Sequence, residues 1–169
     1  MKTGYTRFIV HAAVIAALYA VLTHLQNILL PGTASMAIQM RISEALCVLA
    51  FFTPAAIPGL SIGCLVFNLT FAGTLPLDFL VGTLATYLAA QGMWLTRNRT
   101  VKGYPLLGML LPALTNAILV GWELSVYIGG GFWLNAVYVA IGEAVVLLVL
   151  GTALYYGLER RSLAEKLFS

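Results

Sequence analysis

Nearly all the positive charge of this chain is gathered at three places. Eight of its nine Lys and Arg residues fall in the clusters Lys2/Arg7, Arg97/Arg99/Lys102 and Arg160/Arg161/Lys166, and the chain between them is a succession of apolar runs. Such a chain folds in a lipid bilayer, because cationic side chains that flank apolar runs anchor helix ends at the headgroups. Composition agrees: 61% of residues are hydrophobic and 9% charged, against about 25% charged in a soluble domain. A membrane-crossing helix needs about 20 apolar residues, so 169 residues hold about six of them. The expectation is an all-α integral membrane protein, a single bundle of six transmembrane helices over 1–169.

The breaks between runs set the segments. The first runs from Phe8 to Leu30 and ends at Pro31-Gly32; it is too long for the apolar core of a signal peptide and lacks a small-residue cleavage pattern. A loop from Thr33 to Gln39 follows. The second, from about Arg41 to Thr53, is short for a full crossing. The others run from about Ile57 to Ala72, Leu77 to Thr96, Tyr104 to Gly121 and Phe132 to Leu158. An even number of crossings puts both termini on one side, and all three basic clusters then share the cytoplasm of a prokaryotic cell membrane. Trp122 to Gly131 becomes an outer loop.

The basic residues form no patch interleaved with exposed aromatics, so nucleic acid is excluded as a partner. No nucleophile–base set and no zinc-protease motif appears, and the chain is read as a non-enzyme without metal or cofactor. Cys47 and Cys64 have no metal-ligand spacing and read as inert packing residues. His11 and His24, thirteen residues apart on the first segment, read as ordinary helix histidines.

Candidate functional residues are those whose presence in lipid is costly. Glu143 lies eleven residues after Phe132, about 16 Å into its helix. An isolated carboxylate at that depth costs at least about 2.5 kcal/mol and requires a cavity, a partner or a ligand. Asn116 and Asn68 can share that cavity or join helices by hydrogen bonds. Glu123, beside Trp122 and Tyr127 and before Gly129-Gly130-Gly131, forms either a rim that captures a flat or cationic ligand or an interfacial aromatic belt. Arg41 and Glu44, three residues apart, share a helix face and serve as a structural ion pair or as ligand contacts. Asp78 suits the positive end of the fourth segment as a cap. Ala12, Ala16 and Ala20, with Ala13 and Ala17 beside them, make a small-residue stripe for packing inside the bundle or for docking a partner. Gly59 and Gly63 form a second small pair, read as internal packing.

Several of these residues fall in longer motifs. The run Gln39-Met-Arg-Ile-Ser-Glu-Ala-Leu46, then Phe52-Thr-Pro-Ala-Ala-Ile-Pro-Gly-Leu60, Gly63-Cys64, Asn68, Asp78 and Gly82-Thr-Leu-Ala-Thr86 resembles the QueT family of queuosine-precursor transporters, substrate-binding S components of energy-coupling factor (ECF) transporters. The resemblance implies a six-helix bundle that binds a micronutrient at its outer end under the first loop. It also implies association with a membrane coupling subunit and two cytoplasmic ATPases, with the alanine stripe as docking motif. The absence of a Walker motif here fits that division of labour. For the queuosine precursor preQ1, a deazaguanine with an aminomethyl group, residue chemistry assigns Glu143 and Glu123 to the guanine edge and the ammonium in either order. Asn116 and Asn68 take further polar edges, and Trp122 or Tyr127 stacks on the ring. Another vitamin such as cobalamin is the alternative substrate, and a stand-alone ion-coupled carrier the alternative class.

Overall fold

A computed structural model describes residues 2–33, 40–160 and 163–168. Most of the expected first loop, residues 34–39, therefore lies outside the described residues, as does Arg161 of the third basic cluster. Every element described is helical: α1 (Lys2–Leu29), a 3₁₀ helix (Ile42–Phe51), α2 (Ala56–Thr70), α3 (Asp78–Thr96), α4 (Leu106–Tyr127), α5 (Phe132–Val146), a π-helical turn (Leu147–Gly151), α6 (Thr152–Arg160) and a short tail helix α7 (Leu163–Phe168). Three helical stretches are long and apolar enough to cross a membrane: Gly4–Leu29, Leu106–Tyr127 and Phe132–Arg160. The protein is a helical membrane protein.

Neighbouring segments pack side by side in chain order, α1 on α2, α2 on α3, α3 on α4 and α4 on α5, with the 3₁₀ helix touching all of them. The alternating directions define two ends. The near end holds the start of α1, the α3–α4 turn and the tail helix, whose Phe168 ring meets His11 edge-on at 5.4 Å. At the far end lie the α1–3₁₀, α2–α3 and α4–α5 connections.

Two seams explain the packing. On α2, a Cβ at Gly59 would come within 2.8 Å of the Ala12 carbonyl oxygen, and one at Gly63 within 2.7 Å of that of Ala16. The alanine stripe, expected to pack inside the bundle or to dock a partner, is half internal: Ala12, Ala16 and Ala20 are buried, Ala12 and Ala16 against α2, while Ala13 and Ala17 are exposed. The physical reason is that small side chains on both helices let backbones approach, which is how helices associate where lipid supplies no hydrophobic drive. At the second seam, a Cβ at Gly121 would lie 2.8 Å from Ala136 Cα of α5. Gly121 is thus a crossing point and not a helix end. Helix α4 continues to Tyr127, and Trp122, Glu123 and Tyr127, expected on a loop, belong to it.

The second segment differs from expectation in kind. It is a ten-residue 3₁₀ helix, with Arg41 at its N-cap and eight of its residues buried. Irregular or tight backbone at membrane depth is tolerated only inside protein, and the chain entering this helix is held by α1. Gln26 accepts from the Ile42 N–H at 2.8 Å and donates to the Met40 carbonyl at 2.6 Å. One turn deeper, the Thr23 hydroxyl donates to Ser43 at 2.6 Å.

Candidate functional site

Two apolar clusters fill the bundle. The larger, toward the near end, joins Ile15, residues of the 3₁₀ helix, Leu60, Met93, Met109, Leu147 and Tyr155; the smaller joins Ala85, Val120, Leu124 and Val139 toward the far end. Between them three helices each contribute one polar residue: Thr86 after Ala85 on α3, Asn116 between Ala113 and Val120 on α4, and Glu143 between Val139 and Leu147 on α5. Glu44 joins this layer from the 3₁₀ helix, within 3.5 Å of the Thr86 hydroxyl. A polar layer across an apolar bundle is costly unless each group finds a partner or meets a ligand.

Nearer the far end is a second polar group. Arg41, Asn68, Asp78 and Glu123 are all at most 5% exposed. Asn68 donates to the Asp78 carbonyl at 2.7 Å and to Cys64 Sγ at 3.5 Å. The Asp78 carboxylate faces Glu123. Asp78 stands in the first turn of α3, where its charge suits the positive helix end, and it also has a place in this cluster. Arg41 connects the two groups: its charge acts on Asp78 and Glu44, and on both Glu123 and Glu143. The guanidinium also approaches Cys64 Sγ at 3.7 Å and the Phe67 ring at 5.7 Å.

The four buried carboxylates separate by how well the protein satisfies them. Glu44 is fully engaged: one oxygen accepts from the Tyr19 hydroxyl and from Thr86, the other from Cys47 Sγ at 3.0 Å. Glu123, with 0% exposure, finds no donor on either oxygen among the described residues and meets only the carboxyl of Asp78, and Glu143 finds none on Oε2. Asn68 Oδ1 and Asn116 Nδ2 are unpartnered as well. A buried polar atom left unpaired costs about 1–3 kcal/mol, so these atoms call for a physical reason.

Glu143, Glu123, Asn68, Arg41, Glu44 and Asp78 are therefore linked in one buried polar interior, and Asn116 is buried on α4. Trp122 and Tyr127 are not; they are 49% and 42% exposed on the outside of α4. The sequence reading passes over Tyr19, takes Cys47 and Cys64 as inert packing residues, and has Thr86 only within a motif. A signal for Tyr19 exists on α1, where Tyr19, Thr23, Gln26 and Asn27 put a polar line on one face at helical spacing, and all four are buried. Cys47 and Cys64 are both buried free thiols, yet each touches a charged side chain and so helps shape the polar interior.

A helical membrane bundle with a shielded polar interior of carboxylates, amides and one guanidinium defines a membrane transport protein. The family comparison specifies it: the QueT transporter family model matches residues 9–160, and the chain belongs to that family. It is also 38% identical over 89 residues to the queuosine precursor transporter QueT of Lactococcus lactis subsp. cremoris (strain MG1363), a match that takes in 51% of this chain and 48% of the relative. The match thus spans about half the length of that curated relative. No solved structure matches the chain.

Proposed function

We propose that this chain is the substrate-binding component of an ECF-type importer, and that it captures a queuosine precursor of the preQ1 type for ATP-driven uptake by a membrane coupling subunit and two ATPases. The observation that carries this reading is the unsatisfied set in the buried interior, the two oxygens of Glu123, Oε2 of Glu143, Oδ1 of Asn68 and Nδ2 of Asn116. Acceptors outnumber donors in this interior. That pattern suits a small heterocycle with several N–H groups, one carbonyl and a positive charge. The relative's name and the family support the same substrate. In this reading the bundle crosses the membrane six times and the far end is extracellular. Support comes from Arg97, Arg99, Lys102, Arg160 and Lys166, which lie on the near-end elements as the positive-inside rule requires of a cytoplasmic face.

Isothermal titration of the purified protein with preQ1 tests the substrate. Saturable binding of preQ1 and none of cobalamin is expected; the reverse result overturns the assignment. Uptake into liposomes tests the class. Accumulation by this chain alone, without coupling subunit or ATPases, sinks the ATP-driven reading in favour of an ion-coupled carrier. For partner docking, the exposed Ala13 and Ala17 replace the buried alanines as the relevant face. Ala17→Leu should abolish coupled uptake and leave the affinity of the isolated protein for preQ1 within about threefold.

A further inference from the structure

Within the polar interior the unpaired atoms of Glu123, Asn68, Glu143 and Asn116 lie at two depths. Glu143 lies eleven residues from the far-end start of α5 and Asn116 eleven residues from the far-end finish of α4, so both are about 16 Å deep at 1.5 Å per residue. Glu123 is four residues from that finish, about 6 Å deep. Asn116 and Glu123 are seven residues apart, close to two full turns, and so face the same way about 10 Å apart along the axis. Asn68, near the far end of α2, and Asp78, at the far-end start of α3, keep Glu123 company.

The two levels offer different chemistry. At the far level Glu123 presents two acceptors without a donor and Asn68 one, with the Asp78 carboxylate facing Glu123 and the Arg41 guanidinium beside them. Acceptors with this carboxylate charge fit the N–H donors of an alkylammonium. The deep level holds one unpaired acceptor, Glu143 Oε2, and one unpaired donor, Asn116 Nδ2. An acceptor and a donor at one depth fit a ring N–H beside a ring carbonyl, the lactam edge. Glu44 does not compete for this edge, because Tyr19, Thr86 and Cys47 occupy its oxygens.

We infer that the interior is two subsites in tandem: a far-level ammonium subsite made by Glu123, Asp78 and Asn68, and a deep lactam subsite made by Glu143 and Asn116. This rests on the proposed function and adds to it which end of the ligand enters first. The lactam edge leads toward mid-bundle and the ammonium stays near the far end. Arg41, whose charge reaches both levels, offsets part of the negative charge between them.

The test is a cycle of two ligands and three single variants of the full-length protein, read by isothermal titration. The ligands are 7-aminomethyl-7-deazaguanine and its uncharged 7-cyano counterpart, which share the lactam edge and differ in the ammonium. Glu123→Gln should weaken the aminomethyl compound about 10- to 100-fold and the cyano compound less than about threefold. Glu143→Gln and Asn116→Ala should weaken both compounds by similar factors. If Glu143→Gln is the variant that discriminates between the ligands, or Glu123→Gln weakens both equally, the subsite assignment is overturned and the substrate reading stands. Wild-type protein that binds neither compound overturns both. Should Glu123→Gln not fold, Asn68→Asp serves instead: an added anion at the far level should raise the preference for the aminomethyl compound about tenfold, and an unchanged or lower preference overturns the inference.

Discussion

The α1–α2 seam and the far polar interior lie side by side along the same helices and are built on opposite terms. In the seam, Gly59 and Gly63 press on the Ala12 and Ala16 backbone so closely that no Cβ fits. In the interior, buried oxygens and an amide nitrogen are left without partners among the described residues. The seam therefore contributes stability, while the unpaired groups of the interior cost it, a cost that the proposed ligand would offset. Tyr19 belongs to both. Its Cβ is 2.7 Å from where a Gly63 Cβ would stand, and its hydroxyl donates to Glu44, so the rigid seam also fixes one wall of the site.

The largest effect is expected from breaking the seam. Gly63→Val drives a branched side chain into the Ala16 carbonyl oxygen and Tyr19 Cβ, each at 2.7 Å from the first added carbon. Neither contact is the free end of a flexible side chain, so α1 and α2 must separate. A loss upward of about 3 kcal/mol is expected, read as a collapse of the melting temperature in detergent and of the yield of folded protein. A variant that melts like wild type would show the seam to be loose.

Glu44→Gln probes a carboxylate that behaves like the seam. Its two oxygens accept from Tyr19, Thr86 and Cys47, and an amide replaces one acceptor with a donor that faces donors. Destabilisation of about 1–3 kcal/mol follows, measured by thermal unfolding without ligand. Glu123→Gln should cost far less. Its oxygens find no donor and its carboxyl meets that of Asp78, to which an amide can donate in its place, so the empty protein should change by less than about 1 kcal/mol while binding falls. If both changes destabilise equally, the division of the carboxylates into satisfied and unsatisfied is wrong.

How much of this was legible beforehand depended on the kind of signal. Segment order was readable because apolar runs and Pro-Gly breaks are local. The depth of Glu143 followed from counting along one helix. What the sequence could not convey is which residues from other helices lie at that depth. Asp78 looked like a cap and Arg41/Glu44 like a strut because each was judged on its own helix, whereas packing brings Asp78 to Glu123 and Arg41 to both levels. Gly121 was misread for the same reason: a glycine that ends a helix and one that lets a neighbour approach look alike until Ala136 is placed against it. The stripe of Ala12, Ala16 and Ala20 reads in sequence as a close-approach surface with two possible occupants, and only the fold places Gly59 and Gly63 of the same chain against Ala12 and Ala16.

The smallest effect tests the outer boundary of the interior. Trp122 and Glu123 are consecutive, so on a helix they point about 100° apart, and the burial of Glu123 at 0% turns Trp122 outward, 49% exposed. Stacking on a ligand held by Glu123 is then out of its reach. Trp122→Ala should change affinity for a deazaguanine by less than about twofold and stability by no more than about 0.5 kcal/mol in detergent. Tryptophan fluorescence gives a matching control, since the Trp122 signal should be insensitive to ligand. A loss of affinity of tenfold or more on Trp122→Ala would mean that α4 turns on binding and carries Trp122 inward, and the boundary between exposed face and polar interior would then belong to the unliganded state alone.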